Sequence, residues 1–179
     1  MFFFLLINMS STALYDVNNK KTYTNIRVND LTIDGELNHR FPLQTSVLPV
    51  TSSITTDPIP DITISHKYVG QIVTLEIPAF PINASVGGVP GKIFIENLPV
   101  GLVPRADANG VAQIVPVSNN TGVGLEITSG LMEITETAPG SQVGVIEFTA
   151  DLSGDDFTVN AGEARGLIRG VSISYLPKY

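Results

Sequence analysis

The closing stretch Gly166–Tyr179, GLIRGVSISYLPKY, decides how the chain is read. Val171, Ile173 and Tyr175 alternate with Ser172, Ser174 and Leu176. A period of two is the pattern of a half-buried β-strand. Pro177 lacks a backbone donor and ends it. A strand this near the terminus is expected to be docked in a sheet, since loose ends fray. The alternation places Val171, Ile173 and Tyr175 inward and Ser172 and Ser174 on the opposite face. A buried tyrosine needs a partner for its hydroxyl. So close to the end of the chain, a neighbouring subunit is expected to supply that partner for Tyr175.

Working back from this strand, short apolar runs recur at regular spacing from Asp61 onward. They are 62–64, 71–77, 92–95, 111–115, 124–127, 131–134, 143–149 and 157–159. Turn residues separate them at Gly87-Gly88, Pro90-Gly91, Asn109-Gly110, Ser129-Gly130 and Pro139-Gly140. Glu126, Glu133 and Glu147 each sit between apolar residues, so one face of their strands is wet. Many short strands and no convincing helix predict an all-β sandwich or barrel, with a β-sandwich the expected fold of residues 57–179. The sharpest local expectation is a hairpin across Ser129-Gly130, with 124–127 and 131–134 as its arms.

The region before Asp57 reads differently. Residues 1–8, MFFFLLIN, are nearly all apolar. The run lacks a preceding Lys or Arg and is short for a signal peptide. It is also too short to span a bilayer, which takes about 20 residues. Docking of Phe2, Phe3, Phe4 and Leu5 into a neighbouring protein or into the chain's own trimer is the favoured reading, with a signal peptide as the alternative. Residues 1–20 therefore form an apolar anchor and a polar tether. Residues 21–56 form a short β-rich stalk followed by a Pro/Thr/Ser-rich linker. In the stalk Ile26 and Val28 alternate, Leu31 and Ile33 alternate, and Asp34-Gly35 supplies a turn. Two such pairs cannot bury themselves alone, but three copies around an axis can. This strand–turn unit resembles the repeat of trimeric viral fibre shafts. Residues 41–60 carry four prolines and a Ser/Thr-rich middle, the composition of a linker.

Composition sets limits on function. Charged residues are 15% of the 179, against about 25% in an ordinary soluble domain. So little charge favours an assembly that buries much of its surface. The net charge of −7 argues against a nucleic-acid partner, which needs clustered Lys and Arg. The chain has no cysteine, which removes disulfides, thiolate metal sites and cysteine nucleophiles. Two histidines, His39 and His66, make a multi-histidine zinc site improbable. Asp151-Leu152-Ser153-Gly154-Asp155-Asp156 has the carboxylates of a calcium loop without EF-hand spacing; a solvated turn is the simpler reading. Three sequons, at Asn8, Asn83 and Asn119, mark surface positions. No nucleophile elbow, phosphate loop or acid–base pair in a recognisable setting appears, so neither an enzyme nor a cofactor is expected.

A resemblance adds to this. Val69–Leu75, then Asn97-Leu98-Pro99-Val100-Gly101-Leu102-Val103-Pro104, then Leu125–Ile134, then Val171–Leu176 follow in an order that resembles the heads of phage tail fibres and baseplate receptor-binding proteins. The resemblance covers roughly residues 66–179. It implies a virion structural protein, a homotrimeric jelly-roll head held to other virion proteins by its N-terminus. It also implies attachment to a host-surface glycan or protein. With almost no shaft, a short capsid spike of a large icosahedral DNA virus or its virophage is as open as a phage fibre. Rival readings are a trimeric ligand of the tumour-necrosis-factor-like fold and a glycan-active enzyme.

Overall fold

The computed structural model describes residues 43–105, 110–119, 127–138 and 141–178. The anchor, tether and stalk, with Phe2, Phe3, Phe4, Leu5, Ile26, Val28, Leu31 and Ile33, lie outside them. Eleven strands occur among the described residues. They are β1 (Gln44–Leu48), β2 (Val50–Ser52), β3 (Ile62–Val69), β4 (Ile72–Ile77), β5 (Phe80–Asn83) and β6 (Ile93–Leu98). Then follow β7 (Val111–Asn119), β8 (Ile127–Glu136), β9 (Gly144–Phe148), β10 (Ala164–Leu167) and β11 (Val171–Tyr175). The only regular helix among these residues is one 3-10 turn, Val100–Leu102.

The strands form two antiparallel sheets, one ordered β1-β3-β4-β11 and the other β2-β6-β9-β8-β7-β10-β5. Their facing sides share one apolar core. The four-stranded sheet contributes Leu48, Ile62, Ile64, Val73, Leu75, Ile77, Ile173 and Tyr175. The seven-stranded sheet contributes, among others, Ile93, Ile95, Val115, Val117, Met132, Ile134, Ile146 and Phe148. Alternation along each strand sends these residues to one side and leaves the other side wet, as two packed antiparallel sheets require. The fold is thus the expected all-β, jelly-roll-like sandwich. The closing strand lies as read: β11 pairs with β4, Ile173 opposite Leu75, with Ser172 and Ser174 exposed.

Three expectations are corrected. The stretch read as linker supplies β1 and β2, one to each sheet. Pro49 stands between them, interrupts the ladder and lets the chain change sheets, while its carbonyl accepts a bond from Glu96 N–H at 2.9 Å. The run 157–159 is no strand: Phe157 is fully buried but makes only an isolated bridge to Gly91. The hairpin across Ser129-Gly130 does not form either. Residues Ile127–Glu136 run straight through as β8, with Ser129 paired to Pro116 and Gly130 to Val115. Gly130 is there for close packing. A Cβ at this position would lie 2.3 Å from the Thr149 carbonyl oxygen and under 3 Å from both Val117 methyls. A glycine inside a strand often marks such an approach of another backbone, and Ser-Gly mimics a turn signal only in sequence.

Asn97 adopts φ 60°, the left-handed region that asparagine enters more readily than most residues. The β6–β9 register shifts between Ile95 and Leu98, so a bulge sits at this point. Leu98 returns to the core and the chain enters the 3-10 turn.

Candidate functional site

The end of the sandwich beside that turn is tied by several hydrogen bonds between distant parts of the chain. Tyr68, Val73 and Tyr175 lie in one row across β3, β4 and β11. The Tyr68 hydroxyl donates to the Gly101 carbonyl at 2.8 Å, and the Tyr175 hydroxyl donates to the Leu102 carbonyl. Two tyrosines of one sheet row thus hold consecutive carbonyls of the 3-10 turn. Beyond them Pro177 bridges Pro104, and Lys178 N–H donates to the Val103 carbonyl at 2.6 Å. The Lys178 ammonium pairs with Glu136 and donates to the Ser141 carbonyl at 3.1 Å.

Tyr175 therefore finds its partner within its own chain, and the reason for assigning its hydroxyl to a neighbouring subunit falls away. Burial, reinforced by Tyr68, pushes its phenol well above the usual tyrosine range, so it stays neutral and donates. Tyr175→Phe leaves the buried Leu102 carbonyl without this donor. We expect a loss of about 1–3 kcal/mol in chemical denaturation, the same at every protein concentration. A loss that shrinks as concentration rises would return the hydroxyl to a subunit contact.

The same phase that buries Ile62, Ile64 and His66 turns Thr63, Ser65 and Lys67 outward on β3. Register extends this into rows across the outer face of the four-stranded sheet. Thr45, Ser65, Glu76 and Ser172 form one row; Lys67, Thr74 and Ser174 form the next. The Thr74 and Ser174 hydroxyls are 2.8 Å apart and share a hydrogen bond. Among the described residues neither Lys67 nor Glu76 makes an ion pair with another. Val69 and Ile72, paired at the hairpin end, are about half exposed. The result is a hydroxyl-rich face with one outward ammonium, one carboxylate and an apolar margin. Hydroxyls both donate and accept, and an ammonium offers a charge-assisted donor to an anion. Sequence reading misses this face because Thr, Ser and Lys there look like no more than the wet side of strands. The phase of β3 is the signal that locates it.

The outer face of the seven-stranded sheet is more acidic. Glu133 stands directly opposite Glu147, and the Lys92 ammonium bonds Glu147 at 2.6 Å. That bond is the main cause of a raised Lys92 pKa. In the Asp151 loop, Asp151 Oδ1 accepts the backbone N–H groups of Ser153 at 2.9 Å and Asp155 at 3.1 Å. Those bonds, Asp155's first, lower the Asp151 pKa, and the charge of Asp151 raises that of Asp155. The loop is thus a turn held by its own carboxylate. Among the described residues no three His, Asp or Glu side chains are grouped to hold a metal ion, and no helix is long and apolar enough to cross a membrane.

No family model matches this sequence, and no curated protein matches it. Among solved structures, the chain is similar to the crystal structure of a reovirus attachment protein, sigma1, in complex with alpha-2,3-sialyllactose. The match has a TM-score of 0.52 and 12% identity, and it covers 98% of this chain and 96% of that one. At that identity the likeness is one of fold.

Proposed function

We propose that this chain is a virion structural protein, the homotrimeric head of a short fibre or capsid spike that attaches to the host surface through a glycan. The observation that carries the reading is the likeness in fold, over nearly the whole of both chains, to a viral attachment protein. In this reading Ile26, Val28, Leu31 and Ile33 pack around the trimer axis, and Phe2, Phe3, Phe4 and Leu5 dock into another virion protein. Threefold assembly suits attachment, since three weak sites act together and avidity adds about 10²–10⁴.

The surface that best fits a glycan is the outer face of the four-stranded sheet. Its hydroxyl rows match the donors and acceptors of a sugar, and Lys67 suits an acidic sugar's carboxylate. The test has two arms. Light scattering on the full chain should give a trimer mass; a monomer mass would overturn the assembly. Titration with alpha-2,3-sialyllactose followed by ligand-observed NMR should show binding that Lys67→Glu weakens by about tenfold or more, as expected for a charged hydrogen bond of about 1.5–3 kcal/mol. Binding unchanged by that substitution would move the site elsewhere. A wild-type trimer that bound neither this sugar nor any member of a broad glycan array would sink the glycan reading.

A further inference from the structure

We propose that His66 is an acid-released pin, holding edge strand β1 against β3 at neutral pH and letting it go when the imidazole takes a second proton. His66 is on the inner side of β3 and only 6% exposed. Its Nε2 is 3.0 Å from Gln44 Oε1, on the directly opposed residue of β1. Its Nδ1 is buried and has no hydrogen-bond partner among the described residues. A neutral imidazole fits this setting: Nε2–H donates to Gln44, and Nδ1 keeps its lone pair. A second proton would go on Nδ1, creating a charged donor with no acceptor in a dry place.

Among the described residues, the neighbours in its own sheet offer that charge no acceptor. On β3 the Tyr68 ring lies perpendicular to the imidazole with centroids 5.8 Å apart, and its hydroxyl donates to the Gly101 carbonyl. On β4 the opposed residue is Leu75, and on β1 it is the neutral Gln44. Tyr175 of β11, one row along, is neutral and bonded to Leu102. Lys67 and Glu76, the charged groups nearest along β3 and β4, alternate to the opposite face. Burial lowers the His66 pKa, and no carboxylate among the described residues counters it. The sign follows. An imidazole with a depressed folded pKa is neutral in the native state, so its contribution is intact above the unfolded value of about 6.5. It is lost as pH falls below that value.

Relief comes most cheaply at β1. Among the described residues it is an edge strand of five residues, paired to β3 alone and mostly exposed. Pro49 limits the opening, because its carbonyl is fixed by Glu96 on β6. Acid would therefore free the first strand of the described sandwich, while the sandwich itself persists.

Hydrogen exchange of the full chain, read by mass spectrometry at pH 7.5 and 5.5 and corrected for intrinsic rates, tests this. Protection over 44–48 should fall by up to about tenfold at pH 5.5, the limit for a histidine of ordinary unfolded pKa. Protection in β8 and β9 should hold. His66→Phe should make β1 protection independent of pH. Gln44→Glu, which gives the imidazolium a counter-charge, should preserve protection at pH 5.5 and serves if the phenylalanine variant misfolds. Equal wild-type protection at both pH values, or an acid loss that survives both substitutions, would overturn the proposal.

Discussion

Gly130→Ala is expected to destabilise the head by about 3 kcal/mol, the upper part of the range for an overpacked core. Two neighbours set that size. The new Cβ would lie 2.3 Å from the Thr149 carbonyl oxygen and 2.8 and 2.9 Å from the Val117 methyls. The valine methyls can turn, but the carbonyl cannot leave easily. Thr149 N–H donates to the Leu131 carbonyl at 3.0 Å, and the Thr149 hydroxyl donates to the Asp151 carbonyl at 2.7 Å. Moving Thr149 means breaking the seam between β8 and the chain leaving β9. The substitution also separates the observed strand from a hairpin at Ser129-Gly130. At an exposed turn, a glycine of compatible backbone changes stability by about 0.4–1 kcal/mol when replaced by alanine. Urea denaturation with an unchanged slope and a lowered midpoint is the expected result. A loss under about 1 kcal/mol would restore the hairpin and remove the straight β8.

The parts of this fold that could be read from sequence are those where apolar residues recur at every second position. The runs 62–64 and 171–175 alternate strictly and became part of β3 and the whole of β11. The runs 71–77 and 92–95, each with one outward apolar residue, Ile72 and Phe94, became β4 and part of β6. The rule fails where an inward position carries an unusual residue. Arg165 and Leu167 are the inward residues of β10, and Arg165 is fully buried. Its guanidinium is satisfied by the Thr158 carbonyl at 2.8 Å and by Glu163 at 2.8 Å. A charge at a core position, followed by Gly166 at φ 109°, erases the alternation, so β10 is invisible before the structure is known. β5 hides for another reason. It contains Pro81, which a strand tolerates only at an edge, and β5 is an edge strand of the larger sheet. β1 and β2 were hidden by Pro49 and by Ser46 and Ser52, which sit on the inner side opposite Ile64 and Ile93 and break the apolar alternation. The candidate face follows from the phase of β3, but its flanking columns on β1 and β11 follow only from register. The pin at His66 was beyond reach, since no local pattern links Gln44 to a histidine 22 residues away.

Ile173→Ala is expected to cost about 2–5 kcal/mol, the usual range for cutting a buried isoleucine back to its Cβ. That is a large share of the roughly 5–15 kcal/mol that holds an ordinary domain together. Ile173 is at the centre of β11, 9% exposed, and opposes Leu75, which is fully buried on β4. β11 is an edge strand, so β4 is the one sheet neighbour that can close around the gap. The opposite side of the same strand supplies the control. Ser174 is exposed and bonds only Thr74 among the described side chains, so Ser174→Ala should change stability by no more than about 0.5 kcal/mol. Because the side-chain period is two, a slip of one residue would exchange these roles, with Ser174 buried and Ile173 in water. Paired urea denaturation curves therefore read the register directly. The loss in Ile173→Ala should also be the same at all protein concentrations, since its contacts are within one chain. An unchanged midpoint for Ile173→Ala, with a loss in Ser174→Ala, would overturn the placement of the closing strand and the outer face built on it.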